Sequence, residues 1–291
     1  SPFELAGLLG FLFLESVPDQ PLWDAAVAGT LTEPKTLAAQ VARLLALPRV
    51  REGLTAHTGA RMGLDELRRA TKDPTAFPGF TAEIRSALIG SGERFLADVL
   101  WNGRLSDLVT SRRLHLNGAL ASLYGIDGAG GAALAPVEVP GDVRAAGILS
   151  HPAFLTAHSS AKKNDVVHRG LFVYDALICG PRVPPPPPAV AAEIMSLPEG
   201  ATERELAGLR EKNPRCQGCH AVFDPFGLLS ERYDAVGVYR PADGAGKPID
   251  QTATLTGLGD GLDGSYDGVR SLAQRLDGSH WLSDCAVSGF A

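Results

Sequence analysis

The amino-acid sequence predicts a mainly α protein: a helical bundle, then a domain built around a short cysteine motif, with one small β-hairpin. Helix-start signatures and apolar residues at helical spacing run through residues 1–126, and strand-like stretches flank a single Gly-rich turn near residue 244. The predicted organisation is a helical domain over 1–126, a second domain with a polyproline segment over 136–241, and a C-terminal α/β segment over 242–291. No internal repeat is visible.

The elements follow in order. Ser1 caps a first helix, with Pro2 in its first turn and Glu4 at the position that completes a capping box. Thr32 and Pro34 open a helix carrying Leu37, Val41, Leu44 and Leu45 at helical spacing. Ile84, Leu88, Phe95, Leu96, Val99 and Leu100 mark a longer helix that ends near Asn102-Gly103. Leu116, Leu120 and Leu123 mark another, closed by Tyr124-Gly125.

Asp127 to Ala135 is Gly/Ala-rich and reads as a loop or linker. Ala146 to Ala157 has few helix formers and predicts one or two strands, and Asp165 to Ile178 predicts a helix. Pro184 to Pro188 form an extended, stiff polyproline II strap. Thr202 with Glu205 caps a helix that Asn213-Pro214 stops. A short helix over Phe226–Tyr233, a hairpin of Val236–Arg240 with Ile249–Thr256, and helices near Tyr266–Leu276 and His280–Ala286 complete the chain.

Composition limits the function classes. The chain has 291 residues, is 45% hydrophobic and 21% charged, and so can bury a substantial core. With a net charge of −6 and no basic stripe it is not expected to bind nucleic acid. No apolar run reaches the 18 residues that a membrane span requires; the longest, Leu5 to Leu14, is broken by Gly7 and Gly10 and predicts a buried helix. A chain that starts directly at a capped helix is expected to be a mature product, or a fragment whose upstream part is removed.

The chemistry concentrates in Cys216-Gln217-Gly218-Cys219-His220. Two thiols three residues apart, followed at once by histidine, is the attachment pattern of a covalent c-type haem. Each thiol adds to a haem vinyl group, and His220 supplies an axial nitrogen to the iron. A structural zinc site needs a second pair of Cys or His ligands, and the sequence offers neither another C-x-x-C nor an H-x₃₋₅-H. A thioredoxin-like pair needs a preceding strand, whereas a predicted helix precedes this motif. A disulfide with an incidental histidine is the third alternative. Haem c is attached outside the bacterial cytoplasm, so the motif predicts a periplasmic or secreted protein. In an oxidising compartment Cys179 and Cys285, the two remaining cysteines, are expected to bridge.

The stretch around the motif resembles a known family. Phe223-Asp224-Pro225-Phe226-Gly227 and Arg232-Tyr233-Asp234-Ala235-Val236-Gly237 follow the histidine, the proline run precedes it, and Ser1-Pro2-Phe3-Glu4-Leu5-Ala6 with Ser16-Val17-Pro18-Asp19 opens the chain. In this order they resemble the bacterial secreted c-haem proteins built from the domains of unknown function 1592, 1588 and 1585. The resemblance implies the cofactor and the architecture, not a reaction. It also implies that the chain is the C-terminal part of a longer protein whose other parts are candidate partners. Lys212 and Phe223 stand where such proteins often carry a histidine and a Met or Ile, so neither supplies a second iron ligand.

The sixth iron ligand decides the chemistry, since a side chain there suits electron transfer and an open site suits oxygen or peroxide. His151, His158, His168 and Met195 are the candidates. The resemblance ranks His158 first, because its segment often carries a histidine in the family; Met195 is second. Asp224 reads either as the partner of the His220 ring or as a helix N-cap before Pro225, and the cap is preferred. No Ser-His-Asp order, nucleotide loop or H-E-x-x-H is present, and Asp260 and Asp263 among glycines read as a turn. The expected function is a mono-haem, cytochrome-like electron-transfer protein with a redox partner protein or a small-molecule electron carrier. A haem peroxidase or oxygenase with an open distal site, and an interaction module with a structural haem, are the alternatives.

Overall fold

Mainly helical structure with two small antiparallel hairpins is what the sequence builds. The structure is a computed structural model and describes residues 1–181, 183–184, 201–259 and 261–288. Pro185 to Pro188 of the proline run, Met195 and Asp260 lie outside the described residues. Chain contacts group into two compact units, Ser1–Gly59 and Ala60–Ala291.

In the first unit, α1 (Pro2–Leu9) starts at the predicted capping box and runs on into a π-helical turn, Gly10–Leu14. α2 (Gln20–Val27) is capped by the Asp19 side chain, α3 is Pro34–Leu45, and α4 (Pro48–Arg61) begins in this unit, its last two residues being assigned to the second. Ala6, Leu9, Leu22, Ala26, Leu31 and Leu44 form the core of this unit. The Leu5–Leu14 stretch buries only one face, for Leu8 is 62% and Phe11 76% exposed.

The second unit has its own larger core. α5 (Leu64–Arg69), the long α6 (Ala82–Asn102) and α7 (Asp107–Thr110) lead into a hairpin of β1 (Arg113–Leu116) with β2 (Ala135–Glu138), paired Arg113 to Glu138. Leu116 therefore belongs to a strand, and the predicted helix starts later, as α8 (Gly118–Tyr124), where the Asn117 side chain accepts from the Leu120 N–H. The Gly/Ala-rich stretch from Asp127 lies in the connection between the two strands and ends at Ala135, the first residue of β2.

Ala146 to Ala157 is not strand. It forms a 3₁₀ turn, Gly147–Ser150, and α9 (Pro152–Ala157). A short buried apolar run does not distinguish strand from helix; Pro152 at the first helical position and the His151 ring as cap decide it. α10 (Val166–Phe172) continues into a π-helical turn, Val173–Leu177, as expected for Asp165–Ile178. Cys179 and Cys285 are bridged, with their Cα atoms 5.1 Å apart.

α11 (Glu203–Lys212) carries the predicted Thr202/Glu205 capping box. Asn213 and Pro214 stop it and at once start α12 (Pro214–Leu228), which contains the whole Cys216–His220 motif and reaches past Pro225. The separate helix predicted from Phe226 is thus the end of α12. The second hairpin pairs β3 (Thr252–Leu255) with β4 (Gly264–Asp267), not with Val236–Arg240, which contributes only a bridge between Tyr233 and Tyr239. α13 (Gly268–Leu276) and α14 (His280–Ser288) follow.

Two glycines fix where α12 lies. A Cβ on Gly170 of α10 would run into the Phe223 carbonyl, and one on Gly227 of α12 would run into the Val166 carbonyl. Only residues without side chains let the two backbones approach this closely.

Candidate functional site

α12 is the platform of the site. Its first turn is satisfied by the Asn213 side chain, which accepts from the Arg215 N–H at 3.0 Å. Successive residues of a helix turn by about 100°, so Cys216, Cys219, His220 and Phe223 fall within a sector of roughly 100° on one side of α12. Cys216 is 5% exposed, Cys219 is half-buried, and both are free thiols.

His220 is fixed from one side. Its Nδ1 lies 2.9 Å from Asp224 Oδ1, one turn further along the helix, and its ring meets Phe223 edge-on at 4.9 Å between centroids. Asp224 is not the cap of a helix, as preferred from the sequence: Asn213 caps α12, and Asp224 lies well inside it. The other oxygen of Asp224, Oδ2, accepts from Arg210 Nε at 2.7 Å. Arg210 and Asp224 are buried, with side chains 4% and 5% exposed, and His220 is mostly covered at 11%. A carboxylate accepting from Nδ1 sets the tautomer and leaves Nε2, with its lone pair, as the nitrogen able to bind a metal.

Beside this relay is a cavity of about 470 Å3 between α11, α12 and β3. Arg204, Glu211, His220, Asp224, Thr254 and Thr256 give it polar walls, and Ala207, Pro225 and Leu228 are among its apolar ones. Pro225 has no N–H to give the Ala221 carbonyl on this face of the helix. The volume lies within the range of small-molecule and cofactor sites.

The upstream histidines have other partners. His158 Nε2 is 3.1 Å from the Met62 carbonyl, and its ring stacks on Phe172 at 4.3 Å. Burial pushes its pKa down to about 4. His151 Nδ1 accepts from the Ala153 N–H at 3.2 Å, which places its hydrogen on Nε2. That ring sits between Phe95 and Phe154, its Nε2 has no partner among the described residues, and burial pushes it down to about 3. His168 is exposed and held 2.7 Å from Asp165 Oδ2, a bond that raises its pKa. The neighbours of His220 are Asp224, Phe223 and the cavity; those of His158 are Met62, Gly63 and Phe172, and the two rings share none of these.

The residues present fit a covalent haem in the chemistry of their donors: two free thiols and an imidazole on one helical face, with Nδ1 already occupied. They do not assemble a zinc site, for among the described residues no group of three or more His, Cys, Asp or Glu gathers to hold a metal ion. Asp263 uses Oδ1 to accept from the Leu258 and Gly259 N–H groups, which is the turn expected there. Sequence reasoning missed Arg210. The signal for Asp224 was its place four residues after His220, on one helix face; Arg210 lies on a different helix and carried no comparable signal.

Two family models match the chain. Residues 1–126 match the family model described as PSD4, protein of unknown function (DUF1592), and residues 145–243 match PSCyt3, protein of unknown function (DUF1588). The chain thus carries two of the three segments of the resemblance, in the expected order; no match to the 1585 segment accompanies them. No curated protein and no solved structure matches the chain.

Proposed function

We propose that the chain is a mono-haem c-type protein of the periplasm or the secreted fraction, in which Cys216 and Cys219 hold the haem and His220 Nε2 ligates its iron. The observation that carries this reading is the motif's place on one face of α12 with Nδ1 of His220 tied to Asp224. Cys216 and Cys219 would hold the haem by thioether bonds, each formed by adding an S–H across a vinyl C=C, which would need no oxidant and release no leaving group. When bound, the haem supplies one-electron redox chemistry.

The chain's own residues do the rest. Asn213 and Pro214 start the helix that presents the thiols, Asp224 orients His220, and the Gly170/Gly227 crossing holds α12 in place. The Cys179–Cys285 bridge suits an oxidising compartment. Among the described residues no helix is long and apolar enough to cross a membrane. The partner in this reading is a redox protein or a small electron carrier, reached from outside the membrane.

A second reading, a haem enzyme with an open distal site, draws support from one observation: His158 is committed to the Met62 carbonyl and Phe172. Visible spectra of the reduced protein with and without carbon monoxide separate the two. A low-spin spectrum unmoved by carbon monoxide supports electron transfer. A high-spin spectrum that shifts with the gas supports the open site. A denatured band that takes no haem stain removes both.

A further inference from the structure

We propose that Arg210 is a positioning residue for His220, acting through Asp224 to set the electron density that the imidazole offers the iron. The proposal rests on the c-haem reading above and adds to it a residue outside the motif.

The geometry divides Asp224 between two partners. Oδ2 accepts from Arg210 Nε at 2.7 Å and Oδ1 faces His220 Nδ1 at 2.9 Å. A carboxylate facing an imidazole alone draws strongly on the Nδ1 proton and makes the ring a more basic ligand. A guanidinium on the opposite oxygen offsets that pull. Solvent barely reaches the three groups, so their charges act on one another with little screening.

Local chain geometry explains how Arg210 arrives there. The Asn213-Pro214 break reverses the chain after α11, and α11 then packs along α12. Arg210, in the last turn of α11, thereby reaches a residue fourteen positions ahead of it. The arrangement is not an economical stability device. A buried ion pair gives back most of its attraction as desolvation, and Arg210 Nη2 is buried with no partner among the described residues.

A simple strap between α11 and α12 would also use this pair, so the test must read the iron and not the fold. The haem-loaded full chain is prepared as wild type, Arg210→Met, Arg210→Lys, Asp224→Asn and the Arg210→Met/Asp224→Asn double variant. The midpoint potential of each is measured by spectroelectrochemistry, with circular dichroism as the check on folding. Arg210→Met should lower the potential, Asp224→Asn should raise it, and Arg210→Lys should stay near wild type. In the Asp224→Asn background the Arg210→Met shift should shrink to less than about half, because the group through which Arg210 acts is gone.

A folded Arg210→Met protein with the wild-type potential overturns the proposal and leaves the c-haem reading intact. So does an Arg210→Met shift of full size in the Asp224→Asn background, which means that Arg210 acts through space alone. Should Arg210→Met not fold, Asp224→Asn carries the test: a potential unchanged from wild type overturns the proposal. A wild-type protein without covalent haem overturns both.

Discussion

His220 and His158 are both part-buried imidazoles of the same compact unit, and their surroundings give them opposite characters. His220 is held at Nδ1 by a carboxylate, stands on the same helical face as two free thiols, and lines a cavity of about 470 Å3. His158 is held at Nε2 by a backbone carbonyl and pressed against Phe172, with burial pushing it down to about 4. What lets a histidine act as a ligand is the nitrogen left over after the fold has used the other. In the c-haem reading the first arrangement would offer Nε2 to the iron; the second packs its ring against Phe172.

The largest expected effect comes from the bridge that closes a loop around the His220 side. The Cys179–Cys285 bridge spans 106 residues of sequence, and His220 lies within that loop while His158 lies outside it. Replacing both cysteines by serine should cost about 4–5 kcal/mol by the chain-entropy account of cross-links, read as a lowered urea midpoint. Labelling of both thiols by alkylation in the denatured, unreduced wild type would show that the bridge does not form.

Next in size is His158→Ala. Losing the Met62 bond and the Phe172 contact should destabilise the protein by about 2–4 kcal/mol, again by urea unfolding. The haem content and spectrum should not move. A change from low to high spin in this variant would return His158 to the role of sixth ligand and collapse the contrast between the two rings.

The pH dependence sharpens the contrast further. His158 is held near 4 against an ordinary 6.5, so the unfolded chain takes up the proton first. Stability tied to neutral His158 is complete above about pH 6.5, falls as the pH drops toward 4, and levels off below that. His151, pushed to about 3, acts in the same sense over a window reaching lower. Glu231 acts in the opposite sense. Burial lifts it from 4.5 to about 7, so its contribution is complete below about pH 4.5 and is lost as the pH rises to 7. Subtracting the His158→Ala curve from wild type isolates one group: the difference should be about 1–3 kcal/mol larger at pH 7 than at pH 4. A flat difference would mean that His158 is not buried in its neutral form.

The smallest effect is at the helix that brings in Arg210. Thr202→Ala removes the cap of α11 and should cost about 1 kcal/mol, with Arg210 still paired to Asp224. A loss of haem attachment from so small a change would mean that α11 does more than support the relay.

Much of the fold was legible. Caps and breakers are local, and Ser1 with Glu4, Thr202 with Glu205, and Asn213-Pro214 placed helix ends correctly. Pairings between distant segments were not. Leu116 looked helical by spacing but lies in β1, because Ala135–Glu138 pairs with that strand. The second hairpin joins Thr252–Leu255 to Gly264–Asp267, where the Gly-rich turn near residue 244 suggested a different partner.

The site divides in the same way. Cys216, Cys219, His220 and Asp224 are one helical segment, so their common face can be read from spacing. Arg210 meets them only because the chain reverses at Pro214. The use to which His151 and His158 are put depends on Phe95, Phe172 and Met62, which lie in other segments, as well as on Phe154 of their own helix.

The central claim, that α12 presents Cys216 and Cys219 for covalent attachment with His220 as ligand, is tested most directly by intact mass. The chain is expressed in a periplasm that carries c-type haem maturation, as wild type and as Cys216→Ser/Cys219→Ser, and weighed after denaturation. The account predicts that the wild type gains the mass of one haem and that the double variant has the mass of the bare polypeptide. A wild type at the mass of the bare polypeptide would contradict it.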